Sequence, residues 1–137
     1  MPKRLSGPVR MSPFARLLGL SFSEDESRSN QCLMKVEEKV LNVSGNVHGG
    51  ALYALADVSM GKELYDHIAD DEMIATVEMK INYLVAVSSG VLTGEANLIH
   101  KGRTLAVLEA DIKCEGRLIA KAMGTFRISK ISKSKVD

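Results

Sequence analysis

The run from His48 to Ile68 contains no proline, and Leu, Ala, Met, Lys and Glu make up much of it. Such residues lose little freedom in a helix, so the stretch predicts one long helix that opens at His48-Gly49-Gly50 and continues for about twenty residues. Gly61 is its only later breaker. At about 100° per residue, Lys62, Glu63 and Asp66 fall on one side, with Val58, Leu64, Tyr65 and Ile68 on the other. The last two turns are amphipathic. From Gly49 to Met60, by contrast, the one charge is Asp57, and the wheel puts it in the middle of the side occupied by Leu64 and Ile68. A carboxylate there is costly unless something satisfies or uses it.

Asp57 has two readings. In the structural one it caps a second helical segment or bonds to a neighbouring strand. In the functional one it is a base or nucleophile in a partly apolar cleft, its proton affinity raised by desolvation and lowered again by nearby donors. His48-Gly49-Gly50 supplies such donors, because the first amides of a helix have no partner within it and carry the positive end of its dipole. Glycines there let a carbonyl approach closely, as in an oxyanion hole. His48 and Asp57 are nine residues apart, about 13.5 Å along the axis and about half a turn out of phase. They cannot serve one carbonyl from a single helix. A symmetric pair of chains with antiparallel helices resolves this, giving two composite sites per dimer.

The 137 residues suffice for one domain with its own core. The reading is a loose arm over 1–11, a single domain over 12–129 and a frayed tail over 130–137. A net charge of +1 with mixed signs leaves no electrostatic footprint for nucleic acid. Cys32 and Cys114 belong to no metal-ligand spacing and read as free thiols in a reducing cytoplasm, with no metal site. Arg16 interrupts the apolar part of the N-terminal stretch and Glu24-Asp25-Glu26 follow, so it reads as mature sequence. No apolar run approaches the roughly twenty residues that cross a bilayer. The expectation is a soluble cytoplasmic protein with no membrane partner.

Ser12-Pro13 starts a short helix over Phe14 to Leu18, which Gly19 stops. Leu20 to Asp25 and Gln31 to Val40 read as a hairpin, and Asp70-Asp71-Glu72 as a solvated turn. Four strands follow. Val77, Met79, Ile81 and Tyr83 alternate with Thr76, Glu78, Lys80 and Asn82 in the first, and Leu92 to Ile99 forms the second. After a turn at Lys101-Gly102, Thr104, Ala106, Leu108, Ala110 and Ile112 share one face of the third. A tight turn at Glu115-Gly116 leads to the fourth, where Leu118, Ala120, Ala122, Gly124, Phe126 and Ile128 share a face. The small residues leave room for a helix, so the sheet is expected to curl around the central one.

Asn42, Gly45, His48-Gly49-Gly50 and Asp57, followed by Thr76-Val77-Glu78-Met79-Lys80-Ile81-Asn82-Tyr83-Leu84, resemble the hotdog-fold acyl-CoA thioesterases of the phenylacetic-acid-degradation type. The resemblance runs from Pro13 to Ile128. It implies an α+β hotdog fold, an antiparallel sheet of five or six strands around one long helix. It also implies dimers that merge their sheets, homotetramers of two dimers, and hydrolysis of acyl-CoA thioesters with CoA as part of the substrate and no cofactor. Asp57 then corresponds to the general base or nucleophile, Thr76 to a hydroxyl beside it, and Gly49 to the amide that polarises the carbonyl. His48 and Asn42 shape the same pocket across the dimer interface.

Gly50, Arg103, Asn82 and Glu78 are further candidate substrate contacts. Arg103 matches positions that face CoA phosphates in related chains, although a basic hairpin turn is equally a solvated turn. Glu78 lies on the polar face of its strand. His67 and His100 read as surface residues. The rival functions are a non-catalytic acyl-CoA sensor on the same fold and a hotdog hydratase or dehydratase using His48.

Overall fold

The computed structural model describes residues 11–28 and 30–131; most of the predicted arm and tail lies outside them. Met11 already packs against the core. Ser12 caps α1 (Pro13–Leu17), its hydroxyl accepting from the Ala15 amide at 3.1 Å. Gly19, at φ 78, turns the chain into β1 (Leu20–Phe22). β1 pairs antiparallel with β2 (Gln31–Lys35), so the predicted hairpin forms but is shorter. Past Lys35 the charges of Glu37, Glu38 and Lys39 replace the alternation, and residues Glu38–Val40 coil into a 3₁₀ turn that buries Val40.

The central helix α2 spans Gly49–Tyr65, ending before the predicted Ile68. Asp66 and His67 turn their amides back to the Glu63 and Leu64 carbonyls, which closes the last turn. Glu72 belongs to no solvated turn: it begins β3 (Glu72–Tyr83), and its carboxylate accepts from the Ala69 amide at 2.8 Å. β4 (Val91–Lys101), β5 (Leu105–Cys114) and β6 (Arg117–Lys130) complete one antiparallel sheet in the order β1-β2-β4-β5-β6-β3. Glu115 and Gly116, at φ 51 and 79, make the expected two-residue turn between β5 and β6. Lys130 closes β6, and the Ile131 amide bonds to the Asp71 carbonyl.

The sheet wraps α2 because its inner face is built from small side chains. Ala96, Ala106, Ala110, Ala120 and Ala122 are all buried, facing Leu52, Leu55, Ala56, Ser59, Met60 and Leu64 of the helix. At Gly94 a Cβ would collide with Ser59 Oγ, and at Gly124 it would stand 3.2 Å from Met60 Cε. This is an α+β hotdog fold.

Among the described residues three bulges interrupt the sheet, at Val77, Ile99 and Ile119, and those at Val77 and Ile119 shift side chains from where simple alternation puts them. Ile112 pairs with Ala120 and Lys113 with Leu118, so Ile119 is an extra residue. Ile119 and Ala120 are both buried, and Leu118 is exposed rather than inward. Likewise Thr76 pairs with Phe126 and Glu78 with Thr125, leaving Val77 unpaired. A bulge inserts one residue without changing the neighbouring strand, so the pleat changes phase across it. Thr76, opposite inward Phe126, therefore faces α2, as Met79 and Ile81 do beyond the bulge.

Candidate active site

The loop before α2 is tied into a fixed shape. Asn42 Oδ1 accepts from the amides of Ser44 and Asn46 at 2.9 and 3.1 Å, and Gly45 takes φ 82. The Val47 amide bonds to the Val87 carbonyl, and the His48 amide to the Val40 carbonyl. Asn42 thus holds the loop that presents the helix start. His48 is the N-cap, its Nδ1 accepting from the Gly50 amide at 2.8 Å. A neutral imidazole that accepts at Nδ1 carries its proton at Nε2.

That contact occupies one of the two glycine donors. Ala51 and Leu52 send their amides to the His48 carbonyl, so among the described residues the unpartnered amide at the helix start is Gly49's. Gly50, expected to offer a second, has none free. Tyr83 braces the same peptide: its hydroxyl donates to the Gly49 carbonyl at 2.8 Å, and its ring stands 3.1 Å from where a Gly49 Cβ would be. Burial, with the neighbouring Tyr53 second, pushes the Tyr83 phenol above its ordinary pKa. Sequence reasoning placed Tyr83 in the family motif without a role; its position on the alternating face with Met79 and Ile81 was the available signal. Asn42, Gly49 and Tyr83 line a recess of about 350 Å³.

Two turns further along α2, Asp57 is half-buried at the margin of the helix's buried stripe. The buried residues of the helix are Ala51, Leu52, Leu55, Ala56, Ser59, Met60 and Leu64, so Asp57 lies at the edge of that stripe, next to Leu64, and not in its middle. Thr76 Oγ1 donates to Asp57 Oδ1 at 2.7 Å. One carboxylate oxygen is thereby fixed, and Oδ2 has no partner among the described residues. Asp57 and Thr76 line a second recess, of about 220 Å³.

These contacts form one ladder between α2 and β3. Gly49, Tyr53, Asp57 and Gly61 are successive steps of four residues, which share one helix face. They meet Tyr83, the Met79 carbonyl, Thr76 and Ile74 in turn. The Val77 bulge brings Thr76 into this series. Gly49 and Asp57 nevertheless stay about 12 Å apart along the axis, in different recesses.

The other candidates lie elsewhere. Thr125 Oγ1 donates to Glu78 Oε1 at 2.6 Å, and Asn82 pairs with Lys121, so both sit on the outer face of the sheet. Neither points to the cleft of Asp57. The Lys121 ammonium, 2.8 Å from Asp111 and 3.6 Å from Glu109, has its pKa raised by those partners, Asp111 first. Arg103 is in the β4–β5 turn, in a recess of about 550 Å³ that Glu72, Thr104, Arg127, Ser129 and Lys130 also line. Lys130 pairs with Asp71 at 3.1 Å, whereas Arg103 and Arg127 have no carboxylate partner among the described residues. Cys32 is buried, which pushes its thiol up to about 12. Among the described residues no three His, Cys, Asp or Glu side chains gather as metal ligands, and no helix is long and apolar enough to cross a membrane.

A hotdog sheet around one helix, with a bare amide at the helix start and a clamped carboxylate two turns later, defines a fold and site suited to acyl transfer at a carbonyl. The family model of the thioesterase superfamily matches residues 44–121, and the chain belongs to that family of hotdog thioester hydrolases. A 1,4-dihydroxy-2-naphthoyl-CoA hydrolase of Listeria monocytogenes is 29% identical over 98 residues, covering 72% of this chain and 80% of that one. The structure of conserved protein PA5202 from Pseudomonas aeruginosa is 32% identical, with a TM-score of 0.78 over 87% of this chain and 95% of that one. The BH2602 protein of Bacillus halodurans, solved with CoA, shares the fold at a TM-score of 0.80 and 23% identity over 88% and 78% of the two chains. The chain is an acyl-CoA thioesterase in the general sense.

Proposed function

We propose that the thioester carbonyl is held by the Gly49 amide of one protomer and attacked under the control of Asp57 of its partner. The observation that carries this reading is the ladder itself: its bare donor and its bare carboxylate oxygen stand about 12 Å apart on one helix. Two antiparallel copies of α2 bring the halves together. β3 is the means. It is twelve residues long, pairs only with β6 among the described residues, and exposes Met73, Val77 and Tyr83, and such an open edge is a template for a second copy.

In the composite site the thioester oxygen accepts the Gly49 N–H, which stabilises negative charge as the carbonyl becomes tetrahedral. Thr76 holds Oδ1 of Asp57, so Oδ2 faces the reacting carbon. Acting as base, Asp57 takes a proton from water while the water oxygen bonds to carbon; the C–S bond then breaks and CoA leaves with the proton. Acting as nucleophile, Asp57 forms an acyl anhydride as CoA thiolate leaves, and water cleaves it to the free acid. Both routes consume one water and give acid and CoA. His48 is no base for a hydratase, since its Nδ1 lone pair is engaged with Gly50.

Arg103 and Arg127, without a carboxylate partner among the described residues, offer guanidinium groups for the phosphates of CoA. CoA enters only as part of the substrate, without a further cofactor, and two dimers associate as a tetramer in the cytoplasm. The test is thiol release from a panel of acyl-CoAs. Asp57→Ala lowers kcat by at least ~10²-fold while light scattering still reports the wild-type oligomer. An active Asp57→Ala enzyme sinks the proposal.

A further inference from the structure

Gly61 is a glycine that neither the backbone nor the packing of this chain requires. It lies inside α2, where glycine is poorer than alanine. A Cβ there would meet Ile74 Cδ1 at 3.6 Å, an ordinary contact. What glycine does leave is space. It stands one turn beyond Asp57 on the same ladder, in the wall of the recess that Asp57 and Thr76 also line. Phe22, Val58, Tyr65, Ile74 and Phe126 make most of the remaining lining apolar, and Lys62, its ammonium 5.3 Å from the centre of the Phe22 ring, brings a cation to it.

We infer that this recess receives the acyl group of the thioester, and that Gly61 and Tyr65 limit its size. The inference rests on the Asp57 reading, because it is the carboxylate in the wall that places the reacting carbon at the mouth. The recess measures about 220 Å³. An apolar cavity of about 150 Å³ holds a benzene, and a water-sized group takes about 30 Å³, so the space holds about seven such groups. The acyl group is therefore compact and apolar, a single aromatic ring or a chain of about six carbons. Long fatty acyl chains exceed it.

The experiment is kcat/KM of the full chain across straight acyl-CoAs from acetyl to palmitoyl, with benzoyl- and phenylacetyl-CoA beside them. Burial of each methylene is worth about fourfold, so kcat/KM rises by about that factor per carbon toward hexanoyl and falls at least ~10-fold by decanoyl. Gly61→Leu fills the recess and lowers the hexanoyl-to-acetyl ratio at least ~10-fold. Tyr65→Ala enlarges it and moves the optimum to longer chains. Opposite shifts from two variants separate a change of pocket from a general loss of folding, and where Gly61→Leu does not fold, Tyr65→Ala decides. A flat profile in an active wild type, or variants that keep the wild-type profile, overturns the acyl-pocket assignment and leaves the catalytic reading standing. Full activity in Asp57→Ala overturns the reading beneath it.

Discussion

Replacing Gly49 with proline removes the amide hydrogen that the proposed chemistry uses, and the local backbone accepts the change. Proline suits the first helical position, and it requires an extended residue before it. His48 already has φ −62 and ψ 136. The cost is steric, since a Cβ at residue 49 would stand 3.1 Å from the Tyr83 ring; that ring is half-exposed and needs to give by only a few tenths of an ångström. Gly49→Ala carries the same Cβ and keeps the donor, so the two variants differ at the amide. Loss of one oxyanion donor costs ~10²–10³ in turnover, and Gly49→Pro falls below Gly49→Ala by that factor. Gly49→Pro and Asp57→Ala are then co-expressed with different tags. Random pairing makes about half of the dimers hybrid, and each hybrid has one intact site of two, so the purified hybrid recovers about half of wild-type activity per dimer and the unfractionated mixture about a quarter. Thiol release on the doubly purified hybrid reads this directly. No recovery in a confirmed hybrid refutes the composite site, and equal rates for the proline and alanine variants refute the Gly49 amide as donor.

Tyr83→Phe, which withdraws the hydroxyl from the Gly49 carbonyl at 2.8 Å, lowers kcat about 2- to 10-fold, the scale of one hydrogen bond. KM stays as it was if the hydroxyl positions the peptide without touching substrate. Cys32, with its thiol near 12, is thiolate in about one molecule in 10⁴ at pH 8; mass spectrometry after iodoacetamide finds it unmodified in the native protein and alkylated once urea unfolds it. Lys121 has its pKa raised above 10.5 in the folded state, so its stabilising effect is complete below that value and is lost as pH rises through the raised one. Lys121→Met therefore lowers stability at pH 8, by less than about 1 kcal/mol because the pair is partly exposed. The deficit closes in urea titrations above pH 10.5.

The order of the elements was legible because the apolar pattern changes period cleanly, from the helix-forming run before Tyr65 to alternation in β4 and β5. The inward residues Ala106, Leu108, Ala110 and Ile112 are buried as the alternation predicts. Bulges were not legible, because inserting one residue leaves no mark in composition. Counting by twos through Val77 puts Thr76 on the outer face, and counting through Ile119 puts Leu118 inside; the register of β6 against its two neighbours decides both. Asp57 stood out as an isolated charge in an uncharged stretch, and the family resemblance, not the alternation, put the Thr76 hydroxyl beside it, where the structure has it. Glu78 and Asn82 stay on the outer face where the alternation puts them, and only Thr76, on the other side of the bulge, changes face.

The early turns of α2 are apolar on more than one face, and a single chain covers only one. Leu55, Ala56, Ser59 and Met60 are wholly buried, whereas Tyr53 is 39% exposed and Ala54, Asp57 and Val58 are only half-buried. The less covered side carries the ladder from Gly49 to Gly61, and it runs beside the open edge of β3. Apolar surface left in water is a driving force for association. In the proposed dimer a second chain pairs along β3 and covers that surface with its own α2. The contact proposed to hide it would bring a foreign helix start toward Asp57, so in that dimer the free energy of association and the assembly of the site would come from the same residues.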